Sequence, residues 1–197
     1  MKLTRKTKQW LIFVVSAVLV LFFVIYFLLS RVSLPSQFLT ARKNAAVVSQ
    51  KIVDLTNVNN EKIRTVNALD FKGDVEAALT FIRETQANNA EAYAKASELA
   101  THLQKLAESL AQIQSRDLQR TAYESVAVEL SLVSEFIIYT QKLNYFLDSL
   151  ARAVATDSFV ERRNVDEYLK QVNEQAQKIN SLNKEFLEKI SAFDKSL

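Results

Sequence analysis

Any catalytic chemistry in this chain has to be built around one histidine, His102, because His occurs once and Cys not at all. Its nearest upstream acid is Glu98, four positions earlier, a spacing that makes an ordinary surface pair on one helix face. A di-metal carboxylate site in a helical bundle needs two Glu-x-x-His motifs and further Glu, so a single His excludes it. A serine nucleophile served by His102 would need the glycine-flanked elbow, and Gly73 is the only glycine. The same scarcity excludes phosphate-cradling loops. Thiolate nucleophiles, Cys-ligated metal sites and a lipidated cysteine fall with the missing Cys. The 22 acids are interspersed among 25 Lys and Arg, the pattern of a salt-bridged helix surface. No enzyme, metal or cofactor is expected.

What could still bind something is a set of amides, and placing them requires the elements that carry them. Gly and Pro occur once each, as Gly73 and Pro35, so the chain has little with which to build tight turns. Four long helical patterns follow Pro35, with apolar residues three and four apart. The first, 36–69, shows Phe38, Ala41, Ala45, Val48, Ile52 and Leu55, then Ile63, Val66 and Leu69. Gly73 suits its end, and Asp74 suits the N-cap of the second, 74–113, which runs through Val75, Leu79, Ile82, Tyr93, Ala96, Leu99, Leu103, Leu106, Leu110 and Ile113. Ser115 can cap the third, 116–155, with Leu118, Ala122, Val126, Val133, Phe136, Leu143, Leu147, Leu150 and Val154. Ser158 with Glu161, or Asn164 with Glu167, has capping-box spacing for the fourth, from Val165 to Phe193. Narrow, near-heptad stripes and short connections predict an all-α fold over 36–197, an antiparallel up-down-up-down four-helix bundle of coiled-coil type. Two extended hairpins, or a bundle completed by a second copy, are the alternatives. The third pattern is also apolar on a second stripe, with Phe136 to Tyr139 and then Tyr145 and Phe146, which reads as core buried on several sides or, alternatively, as a docking face for a partner or second copy.

Folding the patterns about residues 72, 115 and 158 brings polar residues to one height. Asn59 falls level with Thr85 and Gln86, then with Thr140 to Asn144, and with Asn173 to Gln175. Buried amides cost free energy unless hydrogen-bonded. Asn59, Gln86, Asn144 and Asn173 are therefore the candidate site, as a register-fixing polar layer, as side chains turned to solvent, or as a small polar pocket between helices.

Ahead of the bundle lies a different kind of segment. Leu11 to Leu29 is a run of 19 residues in which Ser16 is the only conventional polar side chain. As a helix it spans ~28 Å, about a hydrocarbon core. Trp10 marks one interface and Arg31 snorkels at the other. The run is longer than the hydrophobic region of a cleaved signal peptide, and 28–36 offers no small-x-small cleavage site. The expected organisation is a basic cytoplasmic tail over 1–9, a transmembrane signal-anchor over 10–30, a connector over 31–35 and an extracytoplasmic bundle over 36–197. Lys2, Arg5, Lys6 and Lys8 precede the span and Arg31 alone lies in the ten residues after it, which favours an N-terminus inside the plasma (inner) membrane. The remainder holds 21 basic and 22 acidic residues, so the folded part is electrically balanced, where a nucleic-acid domain needs a basic face, and no nucleic acid is expected. The lipid bilayer, and a protein partner or second copy, are the expected partners. Absence of Cys in an outward-facing domain suits a bacterial or archaeal cell.

Two resemblances are local or architectural. Leu69 to Leu79, LDFKGDVEAAL, resembles the inter-helix turn of tetratricopeptide repeats, but that family recurs every 34 residues, and 107–113 (AESLAQI) has neither Gly nor a turn. The layout resembles the extracytoplasmic four-helix domain of bacterial chemoreceptors, an analogy of architecture alone. It implies a sensory module, and without the second span those receptors use, signalling would pass through a partner. The first expectation is an anchored scaffold or interaction protein without catalytic activity; the alternative is a sensory, ligand-binding bundle.

Overall fold

The structure, a computed structural model, describes residues 35–195. The expected tail and anchor, with Trp10, Leu11, Leu29 and Arg31, lie outside the described residues. Among the described residues no helix is long and apolar enough to cross a membrane.

Four helices account for nearly all of the described chain: α1 Ser36–Lys72, α2 Val75–Leu110, α3 Arg116–Thr156 and α4 Phe159–Lys195. Each terminus has a local cause. Pro35 stands at the N-cap of α1, where its missing N–H costs nothing, and its carbonyl accepts from the Leu39 amide at 3.2 Å. Gly73 ends α1 in the left-handed region at φ 78°, and the next amide, of Asp74, reaches back to the Leu69 carbonyl at 3.0 Å. Asp74 then caps α2 by accepting from the Ala77 amide, and Ser115 caps α3 by accepting from Leu118. Between α3 and α4, Asp157 takes the same left-handed conformation at φ 50° without being glycine. Asp is among the few residues that tolerate it.

Connections this short force antiparallel neighbours, and the ion pairs and amides follow that register. Gln37 at the start of α1 meets Gln112 just past α2, and Lys62 near its end bonds Glu84. The stripes face inward: Phe38, Ile52 and Val66 of α1, Leu99, Leu103 and Leu110 of α2, Val133, Phe136 and Leu147 of α3, and Ile179, Phe186 and Phe193 of α4 are all buried. Tyr93, expected in the α2 stripe, is instead 44% exposed; the ladder runs through Asn89, Ala92 and Ala96, one residue round the helix. The double apolar character of α3 divides between two faces. Phe136 and Tyr139 are buried, their ring centroids 5.7 Å apart, whereas Ile138 and Tyr145 face out.

The four helix contacts are not equivalent. α1–α2, α2–α3 and α3–α4 bring backbones within 8 Å, but α1 and α4 stay farther apart along almost their whole length. They meet at the two ends. Phe38 lies against Phe193 at the end near Pro35, with centroids 6.2 Å apart, and Asp70 bonds Arg162 at the far end at 3.0 and 3.4 Å.

Candidate functional site

The polar residues sort by the contact they face. On α2, Asn89 is 1% exposed, and its amide donates to the Thr140 carbonyl at 2.7 Å and to Asn144 Oδ1 at 2.8 Å. On α4, buried Gln175 donates to the Glu135 carbonyl at 3.0 Å and to its carboxylate at 2.6 Å, while accepting from Lys142 at 3.0 Å. The hydroxyls of Thr85 and Thr140 return to carbonyls of their own helices. The α2–α3 and α3–α4 contacts therefore satisfy these inward polar groups. Other buried polar atoms lack a hydrogen-bond partner among the described residues, Ser149 Oγ on α3 and Asn180 Oδ1 on α4 among them. On α1, Ser49 Oγ, Asn59 Oδ1 and Asn60 Nδ2 are buried with no hydrogen-bond partner among the described residues. The two end contacts set Asn59 and Asn60 level with Asn173, and Ser49 level with Asn183, across the wide α1–α4 seam.

Of the four candidate amides, Asn59 is buried on α1 and Asn173 is half-buried on α4 at the same height. Gln86 is half-buried on the α2 flank and donates to Asp148 at 2.7 Å. Asn144 lies at the exposed edge of α3, accepting from Asn89. Asn59 and Asn173 are thus joined by level, Gln86 and Asn144 by their places beside the α2–α3 contact, and no hydrogen bond links all four.

Two cavities open along the α1–α4 seam, one towards each end. The distal one, of about 60 Å³, lies among Ile63, Phe146, Leu150 and Leu169, with Asn67 and the Asp70–Arg162 pair at its edge. Bonds to Asp70 and to Asp157 hold the Arg162 guanidinium above its ordinary pKa, so it stays charged. The proximal one, of about 30 Å³, is bounded by Phe38, Phe186 and Phe193 and by three polar side chains, Arg42, Ser125 and Glu129. Glu129 is 5% exposed. Burial pushes its carboxyl up to about 7, a shift that the nearby positive charge of Arg42 opposes. Burial likewise raises the Tyr139 hydroxyl to about 12. At the surface the shifts are those of ion pairs: Lys178 and then Gln175 lower Glu135, and Lys189 lowers Glu124. His102 sits 3.8 Å from Glu98 as a helix-surface pair. Among the described residues no group of three or more His, Asp or Glu is placed to hold a metal ion.

Arg42 and Glu129 were not among the sequence candidates, although a signal for Glu129 exists. The α3 stripe steps from Val126 to Val133, and the residue three beyond the first and four before the second is Glu129. The ladder itself passes through the carboxylate. A step of seven residues on α2 likewise falls on Asn89, midway between Ile82 and Ala96, in place of Gln86. No protein-family model matches the chain, and no curated protein or solved structure is significantly similar to it.

Proposed function

We propose that this chain is a membrane-anchored interaction module of the cell envelope, tethered by residues 10–30 and presenting its four-helix bundle to a protein partner outside the cytoplasm. The apolar run, the basic tail before it and the short connector to Ser36 support the tether. The observation that carries the reading is the apolar tip at the opposite end of the bundle. Phe159 is 82% exposed and Val160 58%, with Val75 exposed at the same end. That end lies ~55 Å along α1 from the connector, the length of a 37-residue helix. Exposed apolar groups clustered far from the tether are placed to meet a partner, and they cost solubility otherwise.

Two measurements on the full chain test the reading. A phosphatase reporter fused after Leu197 should be active outside the cytoplasm. Proteins recovered with the membrane-extracted chain should be lost from the double variant Phe159→Ser, Val160→Ser, with helix content unchanged. A reporter active only inside the cell, or recovery indifferent to the tip, would remove the proposal. A second reading, a sensory bundle signalling through such a partner, draws on the buried, unpartnered polar atoms of α1 and the proximal cavity. It requires a ligand-dependent rise in melting temperature.

A further inference from the structure

Glu129 is buried midway along the proximal half of the bundle, and its Oε1 has no hydrogen-bond partner among the described residues. An orphaned buried carboxyl oxygen is costly, and more so when ionised. Burial among mostly apolar groups favours the protonated form, against the opposing charge of Arg42. α1 presents the Arg42 guanidinium, α2 presents Leu106, and α4 presents Phe186, Ile190 and Phe193. On α3 itself Ser125 stands one turn earlier, its hydroxyl donating to the Thr121 carbonyl at 3.0 Å. Among the described cavity residues, Arg42 is the charged group that faces Glu129. The cavity of about 30 Å³ has room for about two waters, at 10–15 Å³ each. It lies between α1 and α4, whose backbones stay more than 8 Å apart along almost their whole length.

We propose that the proximal cavity is a hydrated proton-binding site, in which ionisation of Glu129 loosens the α1–α4 seam at the end of the bundle next to the connector. On ionisation the carboxyl O–H gives its proton to cavity water and through it to solvent, and the carboxylate then draws further hydration. Water enters where the packing resists least. The α2–α3 contact is held by Asn89, whereas the α1 and α4 backbones stay more than 8 Å apart along almost their whole length. The contact next to yield is Phe38 on Phe193. The proposal does not depend on the membrane reading, since it concerns the bundle alone.

The direction of the pH dependence follows from linkage. The carboxyl of the folded chain lies above the ordinary value of 4.5, at about 7, so the folded state binds the extra proton between those values. The contribution to stability is full below 4.5, falls as pH rises through about 7, and is flat above.

The test uses the full chain in detergent micelles. Because the sequence has no Cys, the pair Lys43→Cys, Glu188→Cys places spin labels uniquely across the proximal seam, and Arg64→Cys, Glu167→Cys does so distally. Raising pH from 5.5 to 8.5 should lengthen or broaden the proximal label distance and leave the distal one unchanged. Glu129→Gln, neutral and of the same shape, should abolish the change. Independently, the infrared difference between the unlabelled wild-type chain and Glu129→Gln should show a carboxylic-acid band at pH 5.5 that disappears by pH 8.5. A pH-dependent proximal change that survives in Glu129→Gln would overturn the proposal. So would an acid band absent at pH 5.5, or a seam that does not respond while the band titrates.

Discussion

The α2–α3 contact and the α1–α4 seam are built from the same materials, apolar ladders interrupted by amides and hydroxyls, yet they end in opposite states. Asn89 and Asn59 are both asparagines buried to within 2% of complete. Asn89 donates twice across to α3, while Asn59 Oδ1 has no partner among the described residues. The helix pairs also differ in backbone spacing. Helices joined by a short connection approach closely enough for an amide to span the gap, whereas α1 and α4 are joined only through the rest of the chain and touch at their ends. Polar residues fix register in a bundle when their bonds close. The bundle is thus a tight set of three consecutive contacts with one weak closing seam.

The largest expected effect lies on the tight side. Leu147 is fully buried, with no exposed surface. Leu147→Ala should lower stability by about 2–5 kcal/mol in denaturant titration, the range for deleting a packed leucine and leaving a cavity. Ile190→Ala, at the seam and 9% exposed, should cost distinctly less, because the neighbouring cavity already spares some contacts. Equal losses would mean that seam and core pack alike, and the contrast would be lost.

The two asparagines sharpen the comparison at a smaller scale. Asn89→Ala removes two hydrogen bonds and should cost about 1–3 kcal/mol. Asn59→Leu should be neutral or stabilising by up to about 1 kcal/mol, because it replaces a buried amide with an unmet oxygen by an apolar group of similar size. Thermal melts of both variants check the pair. A strongly destabilised Asn59→Leu would show that this amide is satisfied in solution and that the seam is closed.

How much of this was legible follows from the same physics. The four helices, the Gly73 and Asp74 boundary and the Ser115 cap could be read from periodicity and capping chemistry, because those signals are local. The end of α3 was less visible, since Asp157 takes a conformation for which glycine is the usual sign. Interruption of the stripes by polar residues was legible as a height in the bundle. Which amide turns inward was not: that is set by the rotation of each helix, which separates exposed Tyr93 from buried Ala92 one residue away and half-buried Gln86 from buried Asn89 three residues away. The proximal site depends on all four helices meeting Glu129, and sequence spacing on one helix reaches only as far as noticing that the α3 ladder passes through an acid.

The smallest expected effect concerns the clasp at the far end of the seam. Arg162 bonds Asp70 at 3.0 and 3.4 Å and Asp157 at 2.7 and 3.0 Å, so its charge is shared between two carboxylates. The Arg162 side chain is 32% exposed, and water and salt screen both pairs. Asp70→Asn keeps the Asp157 bonds and an acceptor oxygen, and should cost less than about 1 kcal/mol, the range for exposed ion pairs. Raising salt should shrink even that difference between variant and wild type. Both are measurable as paired denaturation curves at low and high ionic strength. A loss beyond about 2 kcal/mol that persists in high salt would place the pair among buried, desolvated contacts. The distal seam would then be a true fastening, only the proximal half of α1 against α4 would be weak, and opening would be confined to the end that holds Glu129.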